Sequence, residues 1–357
     1  MKKIKFPSSD QKKMGDELKK RISSKVADGS LLKRAYRILW IKFGFYSVLY
    51  ISSFIAMLCI SSDNRAMFIL SYVLFGLLGI LLAFNAAHDA AHGTFSKLKG
   101  INNIIFRFTF NINGVNSYLW KMRHVASHHL FPNVDGTDAD IDENILLRLS
   151  PTHRKHFIHK YQHIYASFLY MFYTLHWIFF KDFVYLRKKN LSNLRQINHS
   201  KLEVVRFYLW KLIYFACYII IPILSGHNWK LVIAAFFLMH LVISIFFVWT
   251  LIISHLTCET AFPVQDKTGS LPFNYYQHQL ATSMDYRPRS ILMNWFLGGF
   301  NAHAAHHLFP KWPHTMNRHL TYSIQRFAVA NNLPYNSMTF VGALASHYRY
   351  LRRMGND

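Results

Sequence analysis

Histidine is the residue type in this sequence whose number and spacing point to chemistry. The chain holds 21 histidines, and eight of them fall in three clusters. His88 and His92 form the first, in His88-Asp89-Ala90-Ala91-His92. His124, His128 and His129 form the second, and His303, His306 and His307 the third. On a helix, positions three or four apart share a face, so each cluster can aim two or three ring nitrogens at one point. Neutral imidazole is a good ligand for iron, zinc, copper and nickel. Eight such ligands are too many for one tetrahedral zinc site and suit two metal ions bound close together.

The clusters come in the order H-x3-H, H-x3-HH, H-x2-HH. In this the sequence resembles the membrane fatty acid desaturase family, which carries the same three-box signature. The likeness runs from about Ala83 to the C-terminus and includes His306-His307-Leu308-Phe309-Pro310 and Tyr161-Gln162-His163-Ile164-Tyr165. It implies an O2-dependent oxidoreductase in which the eight histidines bind two iron ions, with no catalytic side chain beyond the metal ligands. Such an enzyme removes two hydrogens from neighbouring carbons of a fatty acyl chain and leaves a C=C bond. The carrier of the acyl chain, whether coenzyme A, acyl carrier protein or lipid, stays open. Some members use a ninth histidine near the end of the fourth span. His255, in Ser254-His255-Leu256-Thr257-Cys258-Glu259, resembles it by place, the other reading being an interfacial histidine facing headgroups. His240 is no rival, since 15 residues of helix put it about 22 Å away.

Two features depart from the front-end subgroup of that family. Its members usually begin the third box with Gln, where this chain has His303. The His-Pro-Gly-Gly haem motif of a fused cytochrome b5 does not occur in the sequence. The resemblance therefore implies an external electron donor, such as ferredoxin or cytochrome b5 with a reductase.

Of the 357 residues, 52% are hydrophobic and 17% aromatic, which fits membrane spans flanked by aromatic belts. The formal net charge is +24, yet no nucleic-acid motif accompanies it. Anionic lipid headgroups or an acidic redox partner suit that charge better. Cys59, Cys217 and Cys258 have no C-x-x-C spacing and read as buried, inert thiols.

Four stretches are long and apolar enough to cross a hydrocarbon core of ~30 Å: about 43–62, 67–87, 207–227 and 231–254. Short polar turns at Asp63-Asn64-Arg65-Ala66 and Ser225-Gly226-His227-Asn228 join them in pairs. The expected fold is an all-α integral membrane protein with four transmembrane helices in two hairpins. A basic N-terminal segment, 1–37, reads as a cytoplasmic amphipathic or disordered lead-in before a desaturase-like domain over 38–357. Stretches 101–119 and 161–180 are expected as interfacial helices. The second of these carries basic residues on both sides, which opposes a single crossing. Counting two hairpins puts both termini, the middle region and the C-terminal part 255–357 on one side. The Lys/Arg excess makes that side cytoplasmic, so a cytoplasmic helical cap is expected to carry all three boxes. Lys211 is expected to snorkel to the headgroups.

Asp135, Asp138, Asp140, Asp142 and Glu143 form the acidic run of the chain. A solvated loop is the first reading, with support for the metal histidines as the alternative. His153, His156, His159 and His163 fall at helical spacing and read as a polar face near the headgroups, the alternative being a third metal site. Two other functional classes compete with a desaturase. A hydroxylase or acetylenase shares the boxes. A non-catalytic receptor or transporter should instead carry polar residues through its spans, which hold few beyond Lys211 and His240.

Overall fold

The computed structural model describes residues 4–7, 11–26, 29–61, 63–191 and 194–357. In chain order the helices used below are α1 (Gln11–Val26), α2 (Ser30–Cys59), α3 (Arg65–Ala91), α4 (Lys99–Ile112), α5 (Ser117–Arg123), α6 (Gln162–Met171), α7 (residues 173–187), α8 (Lys201–Leu224), α9 (Trp229–Ile252), α10 (Tyr275–Ala281), α11 (Ile291–Phe296), α12 (His303–Leu308), α13 (Asn317–Ala330) and α14 (Phe340–Asn356). Two short strands, β1 (Met284–Tyr286) and β2 (Asn336–Met338), pair in parallel, with Met284 opposite Asn336 and Tyr286 opposite Met338. Among the described residues four helices are long and apolar enough to cross a membrane: α2, α3, α8 and α9. The four expected spans fall on them.

Boundaries moved where charge misled the reading. Lys201, Glu203 and Arg206 precede the expected third span, yet α8 starts at Lys201 because Ser200 caps it, its hydroxyl accepting from the Glu203 amide at 3.3 Å. Likewise α2 starts at Ser30, inside the basic segment assigned to 1–37, and the described part of that segment also forms α1. Residues 1–3, 8–10, 27 and 28 of the segment lie outside the described residues.

The chain forms two compact units. The first comprises Met1–Ile38, Arg123–Ala166 and Trp249–Asp357, and the second Leu39–Met122 and Ser167–Val248. In the first unit a buried apolar cluster joins Leu18 and Ile22 of α1, Ala304, Ala305 and Leu308 of α12, and Leu320, Ile324 and Phe327 of α13. Three of the six residues of α12 thus face this core and the other three are the third-box histidines. The box helix is held from behind by hydrophobic packing, which leaves its imidazoles a fixed direction.

In the second unit α3 meets α9 so closely that a Cβ on Gly76 would lie 2.4 Å from Cγ of Met239. Small residues permit this approach between apolar helices. The expected interfacial stretch 101–119 is broken at Gly114 (φ +84°), which separates α4 from α5, and a Cβ there would lie 2.9 Å from Ile178. The stretch 161–180 is helical but interrupted at Phe172, between α6 and α7.

Lys211 does not snorkel. It is buried in the second unit, donating to Asp182 at 2.7 Å and to the carbonyls of Gly114 and Ile178 at 2.7 and 2.8 Å. Trp177 Nε1 and the Asn116 amide donate to the same carboxylate at 3.1 and 2.9 Å. A buried charge is tolerable only with such full pairing. His240 is buried too, with Thr174 Oγ1 at 2.8 Å and Tyr214 OH at 2.6 Å on its two ring nitrogens. The cysteines also differ from expectation: all are free, but Cys59 is exposed and Cys217 and Cys258 are half-buried.

Candidate metal centre

Boxes two and three lie in the first unit, and their seven-residue neighbourhood builds two clusters rather than one. His128, His255, His303 and His307 form the first. All four are buried, and one ring nitrogen from each lies within 4.8 Å of the others. His303 Nε2 is 2.6 Å from His255 Nε2 and 3.1 Å from His307 Nε2. The second gathers His124, His129 and His306. Here His129 Nε2 lies 2.9 Å from His124 Nε2 and 3.0 Å from His306 Nε2. His88 and His92 belong to the second unit, at the end of α3, with ring centroids 5.0 Å apart.

Each of the two boxes therefore splits its histidines. In the third, α-helical spacing aligns His303 with His307 and turns His306 toward the other cluster. The second box is not α-helical. Residues His124–His128 form a π-turn closed by the His129 amide on the His124 carbonyl at 3.0 Å. An i to i+5 turn brings His124 over His129 and sends His128 elsewhere. Reading H-x3-H as one helical face would have paired His124 with His128 instead.

Three rings of the first cluster have their Nδ1 hydrogens engaged. His128 Nδ1 donates to Asp138 Oδ1 at 3.0 Å, His255 Nδ1 to the Thr282 carbonyl at 2.8 Å, and His307 Nδ1 to Gln279 Oε1 at 3.0 Å. A ring held this way presents a lone pair at Nε2. Burial first, then the neighbouring His128, pulls the His255 pKa down to about 3. Burial and the surrounding imidazoles depress His307 as well. Burial also opposes charge on His128, but the carboxylates of Asp138 and Asp140 outweigh it and raise its pKa. The Nε2 atoms of His255 and His307 converge on His303 Nε2 at 2.6 and 3.1 Å, and such a convergent, buried imidazole donor set fits a transition metal.

The acidic run divides. Asp138 is buried and is no solvated loop residue: it takes His128 Nδ1, the Asn133 amide at 2.8 Å and the Asp140 amide at 2.9 Å. Asn133, at φ +59°, in turn donates to the His255 carbonyl at 2.9 Å, tying the second-box loop to the ninth histidine. Asp140 stays partly exposed, 3.6 Å from His128 and paired with Arg123 at 2.6 Å. The histidine stripe is divided as well, with His156 and His163 half-buried. His153 and His159 are buried, His153 against Asp135 at 3.2 Å and His159 on the Ile145 carbonyl at 2.8 Å.

Behind the third box, the Asp285 carboxylate of β1 accepts from the Ala304 amide at 2.9 Å and from the Tyr335 hydroxyl. Burial pushes the Asp285 pKa up to about 6, and these donors offset only part of that. Sequence reading missed Asp285, Gln279 and Thr282. None carries a spacing signal, because each acts from a separate segment through one hydrogen bond. Asp138 alone had a legible cue, an acidic run ten residues after His128.

The fatty acid desaturase family model matches residues 64–339. The chain belongs to the fatty acid desaturase family. It is an enzyme of that family, a membrane oxidoreductase. Among curated relatives, it is 27% identical over 274 residues to an sn-1 linoleoyl-lipid 6-desaturase of Arthrospira platensis, covering 76% of this chain and 74% of that one. It is 28% identical over 272 residues to an acyl-lipid (8-3)-desaturase of Physcomitrium patens, covering 75% and 56%. It is 29% identical over 298 residues to acyl-lipid (8-3)-desaturase B of Dictyostelium discoideum, covering 80% and 63%. The desaturase thus spans about three quarters of the first relative's length and less than two thirds of the other two.

Proposed function

We propose that this desaturase is a di-iron, O2-dependent enzyme that introduces a C=C bond into the acyl chain of a lipid. The observation that carries this is the pair of all-imidazole clusters, with the rings of one oriented through their Nδ1 atoms. His128, His255, His303 and His307 are proposed to hold one iron. His124, His129 and His306 are proposed as ligands of the other, and His88 and His92 enter the set on the three-box resemblance alone. When bound, the irons would activate O2 as an oxidant strong enough for an unactivated C–H bond, chemistry that side chains lack. The chain's own part is to fix ring direction through Asp138, Gln279 and the Thr282 carbonyl, and to keep water from a buried donor set. An acyl-lipid substrate is favoured over acyl-CoA or an acyl carrier protein because the relatives above are named for acyl-lipids. The hydroxylase and acetylenase readings share this site, and the relatives' names favour desaturation.

Electrons must come from outside the site, since imidazoles and carboxylates have no redox chemistry of their own. Purified, iron-loaded protein with O2 and lipid substrate is expected not to turn over repeatedly. A reductase with ferredoxin or cytochrome b5 should restore turnover. With a net charge of +24, docking of an acidic donor should weaken as salt rises. Sustained turnover with no donor present contradicts the proposal.

We also propose two membrane hairpins, α2 with α3 and α8 with α9, that leave both termini and the boxes on the cytoplasmic side. The helices α6 and α7 then lie in the interface. Tags at either terminus and near Lys188 should be reachable from the cytoplasm, and tags at Asn64 and Asn228 from the opposite side. A tag near Lys188 found opposite the C-terminus would mean that residues 161–180 cross.

A further inference from the structure

Helix α11, in the first unit, has no buried residue. Its sequence is Ile-Leu-Met-Asn-Trp-Phe, and Ile291 and Leu292 are each 67% exposed. Val341, in the first turn of α14, is 73% exposed. Single exposed apolar residues are ordinary, whereas a grouped apolar edge marks an interaction surface.

The fold groups these residues. Because β1 and β2 are parallel, the helices that follow them leave from the same end of the sheet. There the Arg287 amide donates to the Met338 carbonyl at 3.0 Å, and Tyr286 packs edge-on against Phe340 at 5.6 Å. The last turn of the apolar span α9 reaches the same end. Tyr286 OH donates to the Thr250 carbonyl at 2.8 Å, and Trp249 Nε1 to Tyr348 OH of α14 at 3.3 Å. The segments that carry the exposed apolar residues, β1 leading into α11 and helix α14, are thus hydrogen-bonded to the last turn of a helix apolar enough to cross a membrane.

Cations border it. Arg289 stacks on the exposed Tyr322 ring at 5.2 Å, and Arg326 lies over the same ring at 5.7 Å. Arg318 Nε donates to the Arg289 carbonyl at 2.8 Å, which draws a third guanidinium to the same place. Guanidinium groups beside an aromatic ring and an apolar helix match the chemistry of a lipid leaflet, with phosphate above and hydrocarbon below.

We propose that α11 and the start of α14 form a membrane-inserted edge. Ile291, Leu292 and Val341 sit among acyl chains, and Arg289, Arg318 and Arg326 engage anionic phospholipid headgroups. The inference is independent of which metal the histidines hold. Its test places a photoreactive phenylalanine analogue at Leu292, Val341 or Lys267 of the full chain, Lys267 being exposed in the polar turn Asp266–Ser270. Each protein is reconstituted in bilayer discs of phosphatidylcholine and phosphatidylglycerol in equal parts, irradiated, and its adducts identified by mass spectrometry. Lipid adducts are expected at 292 and 341, several-fold above those at 267. With Arg289→Gln, Arg318→Gln and Arg326→Gln combined, the phosphatidylglycerol share of the adducts should fall to its share of the bilayer. Adducts to a second copy of the chain, or lipid adducts no more frequent at 292 and 341 than at 267, would overturn the membrane edge. An unchanged phosphatidylglycerol share in the arginine variant would overturn the headgroup contact.

Discussion

His255→Ala is expected to lose iron and activity as severely as His303→Ala, while His240→Ala keeps its iron. His255 Nε2 faces His303 Nε2 at 2.6 Å, and its Nδ1 is anchored on Thr282. Alanine removes one of four donors from the cluster and leaves His303 and His307 facing a gap. Bound iron should drop from about two per chain to about one or fewer, an estimate from the count of imidazole donors. Turnover should disappear with it. His240 is likewise buried, but Thr174 and Tyr214 occupy its two nitrogens. Iron assay on the three purified variants separates the cases. Two irons and normal turnover in His255→Ala would leave the site to the three boxes alone.

Asp138→Ala is the second large effect. The carboxylate fixes the Nδ1 hydrogen of His128 and also holds the amides of Asn133 and Asp140. Without it His128 loses both its tautomer and its direction, and the loop that Asn133 ties to His255 loosens. Removing an orienting carboxylate of this kind typically costs 10–100-fold in metal affinity or activity. Asp138→Asn retains an acceptor for His128 and should fall between the variant and the unaltered chain. The rate at which a chelator strips iron reads the effect without depending on turnover. Equal stripping rates in all three proteins would show that Asp138 serves only the loop.

The sequence was most legible where chemistry imposes spacing. The three boxes and the four long apolar stretches stand out because metal ligation and bilayer thickness each demand a pattern. Beyond that, local conformation overrode the expected period: the π-turn at His124–His128 pairs His124 with His129, which no α-helical reading anticipates. Charges near α2 and α8 hid their true starts, since a Ser cap and continued helix propensity outweigh a few polar residues. Lys211 looked like a snorkelling residue because its partner Asp182 lies 29 positions away. Asp285 and Gln279 were invisible for the same reason, their roles arising only when distant segments meet.

Desaturation of lipid-bound acyl chains is read most directly from the product. The chain, with a suitable electron donor, is to be expressed in a host of simple lipid profile, and the acyl chains of its lipids mapped by mass spectrometry. A new C=C bond is expected at a single position in lipid-bound chains, absent from cells carrying His128→Ala or His306→Ala. A new hydroxyl or triple bond in its place, or an unaltered lipid profile from iron-loaded protein supplied with donor, would contradict it.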